Sequence, residues 1–413
     1  HGSVRLPRSA VGKGRQEADE ANKPAEVEAI EAFLLSQAEF RHNVITHHCE
    51  IRWTEEAGFL PLTDRDVNTL WGRMNKTVGR VYLTDIYNVI HSEFVPLFNP
   101  FQSYFDHLPS WDGVSDPIGD LADTVHVKSD QAEFRDYFRK WFVGILPALL
   151  DDTVVNHEIL VLIGEQGLYK TTWFNFLLPP ELRCYFYTKT NSDRLNKDDL
   201  FSLTEFALIC FEELDGMRPA ELNQLKAMVT MPYVNERAAY GRNKERHPHI
   251  ASFCGTGNNV QFLTDPTGNR RWLPFEVSQI RDPHQHAIPY ELVYSQAYAL
   301  WKSGFCHWFS QEEIRVLNTH NSRFEVPNLE EDLIRTHFRK PFEGETGIFV
   351  TAADILEQIS SCLRYPLSPN KIGRIMAGLE FESIRYKGKR GYIAVKKTGE
   401  DIDRERRSGA LGL

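Results

Sequence analysis

Apolar and polar positions divide the chain into three stretches with different rhythms. In the first, Val27, Ile30, Phe33 and Leu34 recur at helical spacing, which predicts an amphipathic helix over 26–40. Residues 43–53 alternate like a strand, 63–74 read as a capped helix, and 83–94 read as another. Pro100, Pro109 and the turn residues Ser110-Trp111-Asp112-Gly113 close the segment, so a mostly helical N-terminal domain is expected over 26–125.

The second stretch contains a strongly apolar helix, 134–150, and three largely apolar runs, 159–163, 206–211 and 250–254, the last broken by Ser252. Runs of this kind between helical segments predict an α/β core over 126–300, with a parallel sheet covered on both faces. Residues 301–327 are expected to be a linker.

In the third stretch, 328–397, helices are predicted over 329–339, 351–362 and 368–379, the last with a Ser cap. A hairpin follows, with strands 384–386 and 392–395 around a basic turn, Lys387 to Gly391. That order of helices and hairpin is that of a winged helix. The polar segment 1–25 is expected to be a leader or tag, and 398–413 a tail outside the fold. No internal repeat is visible.

Composition narrows the function classes. With 42% hydrophobic and 25% charged residues the chain reads as a globular protein, and no apolar run reaches the roughly 20 residues of a membrane span. Its six cysteines lie far apart without metal-ligand spacing, as in a cytoplasmic protein with reduced thiols. A net charge of −10 argues against a nucleic-acid coat protein, although two segments are locally basic.

The chemistry lies at the ends of the apolar runs. The first leads into Gly164-Glu165-Gln166-Gly167-Leu168-Tyr169-Lys170-Thr171-Thr172 and then a helix. Strand, glycine loop, Lys-Thr and helix form the arrangement in which backbone amides cradle phosphates. Lys170 would reach the β- and γ-phosphates of ATP, and Thr171 would ligand Mg²⁺. The loop departs from the usual pattern at Tyr169, where a glycine belongs. The second run ends in Glu212-Glu213, two carboxylates that are costly at a buried strand end unless they serve a ligand. Glu212 is assigned to the metal and Glu213 to the attacking water.

The third run ends in Asn258-Asn259, with Asn258 the preferred sensor of the γ-phosphate or the water. Downstream, Arg270 and Arg271 follow a Gly-Asn turn and suit an arginine finger. These elements in this order predict a P-loop nucleoside triphosphatase. One basic segment, with Arg237, Tyr240, Arg242, Lys244 and Arg246, mixes cations with an aromatic as single-strand binding requires. The other, 366–397, carries eight Lys and Arg, including Lys387, Lys389 and Arg390 at the predicted hairpin tip, and suits a DNA duplex or fork.

These motifs together resemble the virulence-associated E family. The residues that carry the resemblance are Phe98-Asn99-Pro100, Trp111-Asp112-Gly113, 164–172, Glu213-Leu214-Asp215-Gly216, 237–242 and 264–271. The segment Leu329-Glu330-Glu331-Asp332-Leu333-Ile334 is similar to that of the Bacteroides-type branch. The resemblance implies an AAA+-related core like that of superfamily-three helicases, assembled as a ring, usually a hexamer, with ATP between subunits. It also implies work on single-stranded or forked DNA in the replication of phage satellites or other mobile elements, often beside a primase. This chain shows no primase-like cluster, so a primase is expected upstream or on a partner. A DNA helicase or translocase is the leading expectation. An ATP-binding switch with weak hydrolysis, favoured by Tyr169, and an assembly or defence scaffold are the alternatives.

Overall fold

The computed structural model describes residues 26–190, 197–236, 245–264, 269–327, 329–342, 344–360 and 368–402. The chain forms two compact units, His1–Phe324 and Glu325–Leu413.

The first unit begins with helix α1 (Val27–Gln37) and strands β1 (Ala38–Asn43), β2 (His48–Trp53) and β3 (Leu60–Pro61). Helices α2 (Asp64–Thr77) and α3 (Leu83–Ile90) and strand β4 (Leu97–Phe98) follow. The strands form a sheet in the order β3-β2-β1-β4, so this part of the chain is a helix-on-sheet layer and not mostly helical. Helical periodicity was expected to run to residue 40. The chain instead turns extended at Ala38, where alternation puts Ala38 and Phe40 inward and Glu39 outward. The α2 cap is reciprocal: Thr63 Oγ1 accepts from the Asp66 amide and Asp66 Oδ2 accepts from the Thr63 amide. Leu34, Ile51, Leu70, Met74 and Ile86 share the core of this layer.

The larger layer follows with α4 (Pro100–Asp106), α5 (Pro117–Ala122), β5 (Val125–Val127), α6 (Gln131–Leu150), β6 (Ile159–Ile163), α7 (Lys170–Phe176) and β7 (Phe186–Lys189). It continues with α8 (Lys197–Glu205), β8 (Leu208–Phe211), α9 (Pro219–Val229), the hairpin β9 (Tyr233–Glu236) and β10 (Glu245–Pro248), and β11 (Ser252–Gly257). Strand β12 (Trp272–Ile280) and helices α10 (Tyr290–Lys302) and α11 (Gln311–Asn321) complete the unit.

The main sheet has the order β5-β12-β6-β11-β8-β7 and is parallel except at the edge strand β5. In β6 all five residues are fully buried. Leu160 and Leu162 enter one core, whereas Ile159, Val161 and Ile163 enter the other, so both faces are covered. Where a linker was expected over 301–327, α11 packs on the sheet through buried Leu317, His320 and Asn321.

The second unit comprises α12 (Leu329–His337), β13 (Phe338–Arg339), β14 (Ile348–Val350), α13 (Ala352–Ser360), α14 (Pro369–Gly378), β15 (Ser383–Tyr386) and β16 (Lys389–Lys396). Ser368 caps α14 by accepting from the Lys371 amide. Ile334, Ile355, Ile359, Ile372, Met376 and Ala394 give this unit its own core. The hairpin turn is tighter than expected. Lys387 and Gly388, at φ 48° and 78°, make a two-residue loop, and Lys389 and Arg390 belong to the strand, paired with Tyr386 and Arg385.

Candidate functional site

The sheet brings three strand ends together. Strand β6 lies beside β11, which lies beside β8, and all run parallel, so 164–172, Glu212-Glu213 and Asn258 emerge at one edge. The Gly164 amide donates to Gly257 O at 3.1 Å, joining the first loop to the third. A Cβ on Gly164 would come within 2.9 Å of Val277 O, which explains a glycine there.

Tyr169 has φ 59° and ψ 18°, the left-handed region. This is why the usual pattern has glycine at that position: the loop needs a backbone that most side chains resist by about 1–2 kcal/mol. The tyrosine accepts the same geometry, and its carbonyl still takes the Trp173 amide at 2.7 Å.

Lys170 is buried, 8% exposed. Its Nζ donates to Gly164 O at 2.6 Å, Glu165 O at 2.7 Å and Asn258 Oδ1 at 3.3 Å. Burial pulls its pKa below the ordinary lysine value, and the Asp215 carboxylate opposes that shift. Thr171 Oγ1 donates to Glu212 Oε1 at 2.8 Å. Glu213, at φ 54°, opens the tight turn Leu214–Gly216. A cleft of about 460 Å³ is lined by Gln166 to Thr172, Glu212, Glu213, Thr256, Gly257 and Asn258.

The Thr171 hydroxyl and Glu212 carboxylate are hard oxygen donors in contact. That set suits Mg²⁺, which takes one or two protein oxygens and completes its shell with phosphate and water. Among the described residues no cluster of His, Cys, Asp and Glu is of a size to hold a metal alone, so a shared ligand set of this kind is the form the site offers. A larger cavity, about 770 Å³, lies between the N-terminal layer and the opposite ends of β7 and β8, and includes none of these residues.

Arg270 and Arg271 do not join the cleft. They precede β12, whose Trp272 pairs with Ile159, whereas its Glu276 pairs with Ile163 beside Gly164. The arginines therefore occupy the far end of the sheet from the Lys170 of their own chain. Arg270 is exposed; Arg271 is half-buried, and burial and the Arg270 charge lower its pKa. Sequence reasoning missed Asn321, whose Nδ2 donates to Asn269 O and Trp272 O and so fixes the arginine turn. It gave no separate role to Asp215, which accepts from the Asn258 and Asn259 amides at 3.2 and 3.0 Å. The third carboxylate within 212–215 was the available signal.

Of the first basic segment, Arg237, Tyr240, Arg242 and Lys244 lie outside the described residues. Arg246, exposed on β10, stacks its guanidinium 3.6 Å from the Tyr233 ring centre. On the hairpin of the second unit Lys387, Lys389 and Arg390 are all exposed. Among the described residues no helix is long and apolar enough to cross a membrane.

No curated protein matches the chain. Among solved structures, the apo C-terminal region (305–718) of NrS-1 is similar at 12% identity, covering 89% of this chain and 98% of that one, with a TM-score of 0.47. An A-form apo structure of the NrS-1 C-terminal region gives 11% identity, 89% and 99% coverage, and a TM-score of 0.49. Residues 106–326, more than half of the 413, match the Virulence-associated protein E-like domain. The chain belongs to the virulence-associated protein E-like domain family.

Proposed function

We propose that the chain is an ATP-driven DNA helicase or translocase that acts in the replication of a mobile genetic element or phage satellite. The observation that carries this reading is the convergence of Lys170, Thr171, Glu212, Glu213 and Asn258 on one cleft. Family membership supports nucleotide binding there. Lys170 exchanges its loop carbonyls for the β- and γ-phosphates, and Thr171 with Glu212 holds Mg²⁺. The bound metal supplies charge neutralisation on the phosphates. Glu213 takes a proton from the attacking water, and Asn258 orients that water or the γ-phosphate.

The proposal extends to an AAA+-related, superfamily-three-like ring, a hexamer in the simplest case, with Arg270 or Arg271 completing a neighbour's site. The distance of these arginines from their own Lys170 supports action in trans. DNA contacts are assigned to Arg237, Tyr240, Arg242, Lys244 and Arg246 and to the hairpin of a winged-helix-like second unit. A primase is the expected partner.

In the test, wild-type protein hydrolyses ATP and single-stranded DNA stimulates it. Lys170→Ala loses ATP binding without losing its melting temperature, and Glu213→Gln binds ATP but turns over at least about 100-fold more slowly. Normal ATP binding by Lys170→Ala would remove the cleft from the proposal. A second reading, a nucleotide-gated switch, is favoured by the left-handed Tyr169. Tight ATP binding by the wild type, with turnover that DNA does not raise, would select it.

A further inference from the structure

We propose that Asp215 is a positioning residue, a clamp that ties the backbone carrying Asn258 to the turn carrying Glu213. This rests on reading the cleft as a nucleoside triphosphatase site.

Beyond Gly257, strand β11 ends and the next two amides have no ladder partner. Asp215 supplies both acceptors, Oδ1 to Asn258 N and Oδ2 to Asn259 N. Hydrogen bonds to a carboxylate are roughly twice as strong as neutral ones. Asp215 lies two residues beyond Glu213, inside the tight turn that Glu213 opens with its left-handed backbone. The turn sits flush on β11: a Cβ on Gly255 would fall 2.2 Å from Leu214 Cδ1, and one on Gly257 would fall 3.0 Å from Asp215 Oδ1. Two glycines thus give the turn and its carboxylate room to reach the strand end.

The clamp matters because of what Asn258 does without nucleotide. Its side-chain oxygen takes one of the three bonds that Lys170 makes, at 3.3 Å, with Gly164 O and Glu165 O taking the others. When Lys170 turns to a phosphate, the Asn258 amide loses that partner. Its side chain is exposed and its strand has ended, so among the described residues the Asp215 bonds to its backbone and to that of Asn259 are what keep it aimed into the cleft beside Glu213. Asp215 therefore sets the mutual position of the residue that reads the phosphate and the residue that activates water.

The test measures ATP binding, steady-state turnover and melting for wild type, Lys170→Ala, Asp215→Asn, Gly257→Ala, Asn258→Ala and the Asp215→Asn/Asn258→Ala double variant. Asparagine replaces one of the two acceptors with a donor. Asp215→Asn should lower kcat by about 10–100-fold, the scale of a misplacement near 1 Å, and change ATP affinity and KM by less than it changes kcat. Gly257→Ala, which displaces the carboxylate without removing it, should give a smaller loss of the same kind and covers the case in which Asp215→Asn fails to fold. The Asp215→Asn loss should vanish in the Asn258→Ala background. Normal kcat in both Asp215→Asn and Gly257→Ala, alongside an inactive Lys170→Ala, would overturn the clamp and leave the cleft reading intact. Losses that simply add in the double variant would show that Asp215 does not act through Asn258. A wild type that neither binds nor hydrolyses ATP would overturn the cleft reading and the clamp with it.

Discussion

At position 169 a tyrosine holds the backbone angles of a glycine, φ 59° and ψ 18°. A β-branched side chain tolerates that region worst and asparagine tolerates it well. Tyr169→Val should therefore melt below Tyr169→Asn, with about 1 kcal/mol between them, a comparison in which both variants lose the ring. Equal stability would mean that the loop relaxes out of the left-handed region. Just before β6, burial pushes the Glu158 carboxyl up to about 7, while Lys140 and Arg271 pull the other way. Its folded pKa lies above the ordinary 4.5, so the stability due to its neutral form is complete below pH 4.5 and is lost as pH rises through 7. Glu158→Gln should melt above wild type at pH 8, and the gap should close as pH falls toward 4.5. A gap independent of pH would contradict this assignment. The sequence marks Tyr169 as standing in a glycine's place, but its left-handed backbone and the raised Glu158 carboxyl are consequences of folding that no residue type displays.

Helix α11 shows where the sequence pattern ran out. Its residues Gln311 to Asn321 contain three aliphatic side chains among many polar ones, and a hydrophobic period finds little there. Beside the buried Leu317, its anchors are polar: Asn321 bonds two carbonyls of the arginine turn, and His320 Nε2 lies 2.6 Å from Pro274 O. Such anchors are invisible to hydrophobic periodicity because they work through pairing. Asn321→Leu should cost about 2–4 kcal/mol in urea unfolding, because Asn269 O and Trp272 O lose their donor inside the fold. A loss under about 0.5 kcal/mol would mean that water or a shifted turn replaces the bonds.

By contrast β6 and β8 were legible as apolar runs and β11 in part, since its run was read over 250–254 and the strand is Ser252–Gly257; the cleft residues follow the ends of these strands. Strand β12 went unread because Pro274 and Glu276 interrupt its apolar run. Strand β1 was masked by the helix it abuts, whose period overlaps its first residues.

Each of the two units has a core of its own, so chemistry in one can be altered without unfolding the other. Neutralising Lys387, Lys389 and Arg390 together should weaken DNA binding and reduce its salt slope by about 2–3. ATP turnover measured without DNA should not change. An unaltered salt slope would reassign the hairpin to a protein partner. Within the first unit, β6 spans the sheet from the Glu158 side to Gly164, about 16 Å at roughly 3.3 Å per residue. It is gripped by β11 on one side and β12 on the other, and no residue along it touches solvent. A strand held in that way acts as a ruler: the glycine loop leaves one end of it, and the arginine turn enters β12 opposite the other.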